Sequence, residues 1–356
     1  MSSKQYDLVV CIGRFQPLHL GHINNFNQAL ELGKHLLIIV GSSNQPRTIK
    51  NPFNDVERSI YINAAIQELG SNSQNNVTIS TVNDYIYNEN AWITEVQQKV
   101  FSCMDSIGLN ATAKIAILGH NKDESTYYLK SFPQWKTVDA GGYLTINDKP
   151  IDATTIRNLM FDGYTDYVEN VVPKSVFSFL TSFCKTEAYA QLVDEYKSIK
   201  DYKAKWANSP FPPVFMCTDA VVVQSGHVLL IKRGFSPGYG LWALPGGFVE
   251  QNLPCKENAI KELIEETSID MPKRALLSAI THEQIFDAPS RSLRGRTFTM
   301  AYLFELVGGN EGLPKVKGAD DAKEAKWVPL SEIDGMQNLL FEDHYSILKH
   351  MIGRLK

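Results

Sequence analysis

GRFQPLHLGH (residues 13–22) follows the apolar run YDLVVCI (residues 6–12) and leads into a segment whose apolar residues Ile23, Phe26 and Leu30 recur on one helical face. Gly33 is placed to end that helix. The order is buried strand, glycine-containing turn, helix N-terminus. Backbone N–H groups and the positive end of the helix dipole meet there, and Arg14, His19 and His22 add cationic side chains, so the stretch is suited to phosphate. One histidine on an apolar helix is most often structural, whereas two, three apart with a glycine between them at such a turn, favour an anion site. A metal site is the weaker alternative, because no third ligand is apparent nearby.

Outward from this unit, strand-like and helix-like runs alternate to about residue 170. A strand is expected at 36–40, a polar loop carrying Arg47, a helix from Asp55 with apolar Val56, Ile60, Ile62 and Ile66, a strand at 77–82, a helix over 91–107 and a buried strand at 114–118. This alternation predicts an α/β fold, a Rossmann-like doubly wound parallel sheet whose ligands sit beyond the C-terminal ends of the strands. Residues 185–207 carry apolar side chains at intervals of three and four among many charges, and SPFPP (209–213) halts the helix they predict. Beyond it come strands at 220–223, 228–231, 297–306 and 325–328, interrupted by a single clear helix at 255–267 and closed by an amphipathic helix at 342–355. The 356 residues, at ~150 per domain, suggest two domains. We place them at 1–184 and 213–356, with a connecting helix and Pro-rich linker at 185–212.

A net charge of -4 without a dense Lys/Arg block argues against nucleic acid or an anionic membrane as partner. The five cysteines show no metal-type spacing, and Cys11 and Cys103 fall in apolar patterns. That usage fits a reduced, cytoplasmic setting. The start MSSKQYD has no apolar signal core, and no apolar run approaches the ~20 residues that span a bilayer.

A second centre lies in PGGFVEQNLPCKENAIKELIEET (residues 245–267). Pro254 belongs to the first turn of a helix whose Ala259, Ile260, Leu263 and Ile264 form an apolar face. Glu262, Glu265 and Glu266 share another face. Clustered carboxylates repel one another and gain from a divalent cation. A solvated acidic face is the default reading of such a run, and the preceding Gly246, Gly247 and Glu250 turn it towards a site.

On these residues the first half resembles the nucleotidyltransferase superfamily, with His19 and His22 as the histidines of its HxGH signature. GSSNQPRTIKNPFNDVER (41–58) and DYIYNENAW (84–92) are similar to archaeal-type nicotinamide mononucleotide adenylyltransferases. GHNKDESTYYLKSFPQW (119–135) resembles bacterial members fused to a Nudix domain. ATTIR (153–157) resembles the ISxTxIR phosphate motif, with alanine for its leading serine. The resemblance covers about the first 180 residues. It implies transfer of an adenylyl group from ATP with release of pyrophosphate, for which positioning and charge stabilisation suffice without a covalent intermediate. His19, His22, Arg14 and Arg157 would face the triphosphate, and Gly13, Phe15 and Gly119 would contact the nucleotide. Thr154 and Thr155 would donate hydrogen bonds at a second helix N-terminus. Lys122 would hold phosphate and Asp123 would lie near Mg²⁺, itself bridging ATP phosphates. Trp92 would stack on a pyridine ring and Asp84 bind its carboxamide, although an indole on an amphipathic helix is otherwise usually core. Arg47 and Arg58 could bind nucleotide or equally be surface charges.

The glutamate helix resembles the Nudix box, GX5EX7REUXEEXGU, from Gly247 to Ile269, with Leu253, Lys261 and Ser268 standing where the pattern has glutamate, arginine and glycine. This implies an α/β/α Nudix domain. Mg²⁺, with Mn²⁺ as an alternative, would be held by Glu262, Glu265, Glu266 and Gly246, with Glu262 and Glu266 catalytic. FDAPSRSLRGRTFTMAY (286–302) and DDAKEAKW (320–327) look like the ADP-ribose pyrophosphatase branch, and the resemblance covers residues 213–356. Arg291, Arg294 and Arg296 would pair with the diphosphate or simply decorate a loop and strand edge. Arg233 and Trp242 are further candidates, and Glu324 would be a distal general base. The expected protein is a bifunctional enzyme of NAD metabolism acting on ATP, nicotinamide mononucleotide and ADP-ribose, with a homo-oligomer left open. One alternative is nicotinate mononucleotide as acceptor, against which Asp84 argues. Another is a Nudix half that senses nucleotide without cutting it. The retained glutamates and the short chain after Val328, with no room for a DNA-binding winged helix, argue against that.

Overall fold

Residues 36–40 are apolar at every position, as a strand covered on both faces requires, and all five are fully buried. The computed structural model describes residues 4–70, 76–120, 128–141, 145–146, 149–308 and 312–355. The chain divides into two compact units, Met1–Val193 and Asp194–Lys356.

In the first unit β1 (Tyr6–Gly13), α1 (Leu20–Leu32), β2 (Gly33–Ser43), α2 (Asp55–Glu68), β3 (Val77–Asn83), α3 (Glu89–Ser106), β4 (Ile115–Gly119) and β5 (Lys136–Asp139) follow in order. The strands form one parallel sheet, β3-β2-β1-β4-β5, the doubly wound arrangement the alternation predicts. Strand order reverses at β1 and β4, which opens a crevice at their C-terminal ends. Gly13 and Gly119 are the last residues of those two strands. A short ribbon, β6 (Thr145–Ile146) with β7 (Lys149–Pro150), precedes α4 (Ala153–Phe161), α5 (Lys174–Phe183) and α6 (Glu187–Ala204), and α6 runs across the division between the units.

One face of this unit corrects its sequence reading. Val56 and Ile60, expected to face inward from α2, are 63% and 62% exposed, while Arg58, Tyr61, Ile62, Ala65 and Ile66 face the core. The inward stripe is centred on a charged residue, so a search for apolar spacing rotates the helix the wrong way.

The second unit contains β8 (Val214–Gln224), β9 (His227–Arg233), β10 (Trp242–Ala243), β11 (Gly246–Phe248), α7 (Cys255–Thr267), α8 (Lys273–Ser278), β12 (Ile280–Phe286), β13 (Arg296–Glu305), β14 (Ala322–Pro329) and α9 (His344–Ile352). Its mixed sheet runs β10-β9-β8-β13-β12, with β11 added to β8 and β14 to β9; β8 and β13 are parallel and the remaining pairs antiparallel. Ala259, Ile260 and Leu263 of α7 are fully buried in one cluster with Ala220, Val222, Leu229 and Phe304 of the sheet. The single helix expected between the strands is joined by α8, a turn and a half too short to show a period. α7 ends at Ser268 in the left-handed region, φ +45°, the conformation that favours glycine. Among the described residues no helix is long and apolar enough to cross a membrane.

Candidate active sites

Beyond β1 the chain turns through Phe15 at φ +50° and enters α1 with His19 as its N-cap. The turn is fastened from below. Tyr61 donates its hydroxyl to the Phe15 carbonyl, and Gln16 exchanges two hydrogen bonds with the backbone of Phe53, at 2.7 and 3.0 Å. Arg58 is not a surface charge. It is 1% exposed and donates to the carbonyls of Arg14 at 2.9 Å, Gly41 at 2.5 Å and Ser42 at 2.9 Å, so it joins the ends of β1 and β2. The His19 and His22 rings lie 3.7 Å apart between centroids, and the His19 N–H donates to His22 Nδ1 at 3.3 Å. A Cβ on the intervening Gly21 would come within 3.1 Å of the His19 ring. Phe15 is buried with its ring edge-on to His22, which makes it a support for that imidazole. Gly13 leaves room for the Phe15 ring, since a Cβ there would come within 2.8 Å of it.

Arg157 reaches this turn from α4. It donates to the Gln16 carbonyl at 2.6 Å, the Ile49 carbonyl at 3.1 Å and the Thr154 hydroxyl at 3.1 Å. Much of its donor fork therefore holds two loops together, which alters the expected triphosphate role. Burial and the neighbouring Arg14 push its pKa down to about 10, with Asp152 opposing. Arg14 is exposed and donates to Asn51 Oδ1 at 3.3 Å. Lys50 lies between the two tethered residues 49 and 51. Its pKa is lowered by burial and Arg14, Asp84 opposing and Arg157 adding to the fall. Asp84 thus acts electrostatically on Arg14 and Lys50.

Other expectations are displaced. The N–H groups of Thr154 and Thr155 are taken by Asp152, the N-cap of α4, at 2.9 Å each, and the Thr155 hydroxyl donates to the same carboxylate. Burial alone would raise the Asp152 pKa, but these bonds, with His19 nearby, hold it low. Arg47 is held by Glu57 at 2.6 and 2.8 Å and by the Pro52 carbonyl, so it fastens the loop instead of presenting a free fork. Trp92 is half-buried against the core, 5.8 Å from the Phe132 ring and 6.1 Å from that of Tyr128. Gly119 is buried at the end of β4, where a Cβ would press on Leu129 and Tyr128. Lys122 and Asp123 lie outside the described residues.

In the second unit a cleft of about 380 Å³ is lined by Glu262, Glu265 and Glu266 of α7, Gly246 and Gly247 of β11, and Arg233, Arg294, Asp320 and Asp321 from loops and strand ends. The Gly246 N–H donates to Glu266 Oε2 at 2.8 Å, and a Cβ on Gly247 would come within 2.7 Å of Glu262 Oε2. These glycines let β11 lie against the carboxylates. Burial pushes Glu266 up to about 8, the Gly246 N–H opposing and Glu262 adding; burial and the charges of Glu265, Asp320 and Glu250 push Glu262 up to about 6 against Lys261. Arg294 lies 5.0 Å over the Phe248 ring, and Arg233 4.0 Å over that of Phe341.

Four expected residues stand elsewhere in function or place. Arg291 lines the cleft, but its Nε and Nη2 each donate to Asp343 at 2.9 Å in a buried pair, so it is a brace and not a free diphosphate ligand. Arg296 donates to the Asp287 carbonyl, lies over the Phe298 ring and is not among the cleft-lining residues. Glu324 is exposed on β14, opposite Lys232, while Asp320 and Asp321 of the preceding loop reach the cleft. Trp242 is also outside the lining, with Lys232 over its ring.

Residues 10–107 match the Cytidylyltransferase-like family and residues 216–351 the NUDIX domain family. Over 194 residues, 54% of this chain and 95% of the relative, the sequence is 32% identical to a nicotinamide/nicotinic acid mononucleotide adenylyltransferase of Acinetobacter baylyi. Over another 134, 38% of this chain and 70% of the relative, it is 31% identical to an ADP-ribose pyrophosphatase of Methanocaldococcus jannaschii. A solved structure of a bifunctional NMN adenylyltransferase/ADP ribose pyrophosphatase from Francisella tularensis, complexed with AMP and a manganese ion, matches with a TM-score of 0.87 at 35% identity. The match covers 98% of this chain and 99% of that one. The chain belongs to the bifunctional NMN adenylyltransferase/ADP-ribose pyrophosphatase family.

Its departures from the Nudix pattern have local explanations. Lys261, standing for arginine, bonds Glu265 and lies 3.1 Å from Glu250, so a cation still bridges these carboxylates. Ser268 takes the left-handed cap that the pattern gives to glycine. Sequence reasoning missed Lys50, Asp152, Asp320 and Asp321. Asp152 carried a signal, an aspartate directly before ATTIR, which is an N-cap pattern. Lys50 and the two aspartates lie inside the stretches 41–58 and 320–327 that carry the resemblances, but no local pattern singles them out within those stretches.

Proposed function

We propose that the first unit transfers the adenylyl group of ATP to nicotinamide mononucleotide, giving NAD and pyrophosphate. The second unit hydrolyses ADP-ribose to AMP and ribose 5-phosphate. The observation that carries this reading is the presence in one chain of two opposite charge constellations at the expected strand and helix ends: His19, His22, Arg14, Lys50 and Arg157 in one, Glu262 and Glu266 in the other. In the first, the acceptor phosphate attacks the α-phosphorus of ATP and the bond to the β-phosphate oxygen breaks. Arg14, Lys50 and the two neighbouring imidazoles hold the triphosphate and stabilise charge on the leaving pyrophosphate, while Arg157 and Arg58 keep the turn in place. Asp84 tempers the cation cluster through its charge on Arg14 and Lys50. Nicotinate mononucleotide is the second acceptor to assay, because the Acinetobacter relative is named for both mononucleotides.

In the second unit water adds to one phosphorus of the diphosphate and the bridging P–O bond breaks. Among the described residues no three His, Cys, Asp or Glu side chains form a ready metal cage. The donor set nevertheless fits divalent cations, Mg²⁺ or the Mn²⁺ seen in the Francisella protein, because Glu262 and Glu266 are carboxylates whose ionisation is disfavoured by burial and by one another. Glu262, Glu265, Glu266 and the Gly246 carbonyl would hold them with substrate oxygens completing the shell. Bound there, such ions lower the pKa of water and polarise the phosphoryl group. Arg294 and Arg233 draw the diphosphate towards the glutamates, and Asp320 and Asp321 are placed to orient the water. The test is to assay the full chain with ATP and each mononucleotide, and separately with ADP-ribose and Mg²⁺ or Mn²⁺. His19→Ala should abolish only the first reaction and Glu266→Gln only the second; full activity in either variant would refute that assignment.

A further inference from the structure

His19 is the N-cap of α1 and Asp152 the N-cap of α4. Arg157 fastens the two helix starts together, through the Gln16 carbonyl at 2.6 Å and the Thr154 hydroxyl at 3.1 Å. The start of α4 is where the sequence predicts that the N–H groups of Thr154 and Thr155 meet the nucleotide. Instead Asp152 Oδ1 accepts both of them at 2.9 Å, and its Oδ2 accepts the Thr155 hydroxyl at 2.7 Å. The carboxylate thus takes the donors that a helix start offers to a phosphate. Its charge reaches the cations around it: His19 helps to hold its pKa low, and it opposes the fall in the pKa of Arg157. Serine or asparagine would cap the helix as well as aspartate does, so capping alone does not account for a negative charge beside a triphosphate site.

We propose that Asp152 is a built-in substitute for phosphate that limits how tightly the first centre holds the leaving pyrophosphate. It balances His19 and Arg157 before nucleotide binds. When the triphosphate arrives, one negative charge already stands at the start of α4 and offsets part of the attraction of the cations. ATP and pyrophosphate are weakened together, which favours release of the product. This rests on the reading that the unit transfers an adenylyl group from ATP. Asp152→Asn removes the charge alone, because its Oδ1 keeps both N–H bonds and its amide can donate to the Thr155 hydroxyl. In the full chain this variant should lower both KM for ATP and the inhibition constant of pyrophosphate roughly 5- to 30-fold, without raising kcat, and the difference from wild type should shrink in concentrated salt. Asp152→Glu keeps the charge on a poorer cap, so both constants should stay within about threefold of wild type. Unchanged constants in Asp152→Asn would reduce Asp152 to a cap, and weaker binding would make it a partner of the nucleotide; either result overturns the proposal. Calorimetry with inorganic tripolyphosphate reads the same charge without turnover. Tighter binding to Asp152→Asn supports the proposal, and equal or weaker binding refutes it. If binding tightens while wild type forms no dinucleotide from ATP and either mononucleotide, the transfer reading falls and the role of Asp152 stands.

Discussion

Arg58→Ala is the substitution that most directly separates scaffolding from chemistry. The wild-type guanidinium satisfies the carbonyls of Arg14, Gly41 and Ser42 from a position 1% exposed. Leaving a buried carbonyl without its donor costs about 1–3 kcal/mol, so three of them, with partial relaxation, amount to about 3–6 kcal/mol. Lysine at this position keeps the charge but replaces a planar fork with a single ammonium, and should recover only about half of that. The freed carbonyls include the one on Arg14, so the triphosphate-facing turn should shift, and a shift of about 1 Å costs on the order of 100-fold in rate. Denaturant unfolding should show the transition of the first unit moving to lower concentration in the order wild type, Arg58→Lys, Arg58→Ala. Adenylyl transfer should fall in the same order, with ADP-ribose hydrolysis unchanged as an internal control. An Arg58→Ala protein with the wild-type midpoint and full transferase activity would refute the account of the turn.

The Arg291–Asp343 pair should behave as a buried brace. Arg291→Ala or Asp343→Ala alone should destabilise the second unit by about 3–5 kcal/mol, whereas the Arg291→Met/Asp343→Leu double variant should lose far less and still hydrolyse ADP-ribose; a double variant with no hydrolysis but full stability would restore Arg291 as a substrate ligand. Ser268→Gly relieves a left-handed cap and should raise unfolding stability by about 1 kcal/mol, detectable as a higher Tm, and no gain would mean that the cap is unstrained. Gly247→Ala places a methyl against Glu262 Oε2, so hydrolysis should drop at least about tenfold with stability changed by under about 1 kcal/mol; a parallel loss of both would point to collapse of β11 instead. His344 is held neutral, its pKa pushed down to about 3 by burial against Asp343, and its Nδ1 accepts the Leu244 N–H at 2.9 Å. Its contribution is therefore complete above its ordinary value of 6.5 and shrinks as pH falls towards 3, by about 2 kcal/mol at pH 5. Unfolding of wild type and His344→Gln from pH 7 to 5 should show the steeper decline in wild type, and parallel slopes would exclude the effect.

Apolar periodicity made the strands and long helices of both units legible, because burial on one or two faces leaves a period in the chain. The residues that mislead are charged ones used inside. Arg47, Arg58, Arg157 and Arg291 all read as phosphate ligands or surface charges, yet each spends much of its fork on carbonyls or a carboxylate. A guanidinium offers the same donors to a pair of backbone oxygens, a carboxylate or a phosphate, so residue type and spacing alone cannot rank these partners. The glutamates of α7 were legible for the opposite reason. Side chains three and four apart on a helix must share a face wherever that helix lies, and Gly246 and Gly247 announce that a strand comes close to it.

The two centres answer opposite electrostatic problems with the same device, backbone dipoles set before the ligand arrives. In the first unit the cations Arg14, Lys50 and Arg157 repel one another, and the carbonyls of Gln16 and Ile49 together with Asp84 and Asp152 make their assembly tolerable without quenching it. An incoming triphosphate supplies the missing negative charge. In the second, Glu262 and Glu266 repel one another, and the Gly246 N–H offsets part of the burial that raises Glu266. Here the missing charge is positive. In each site the fold already holds like charges close together, and the complementary ligand relieves their repulsion. The ligand that relieves one would aggravate the other, so the two reactions require separate pockets.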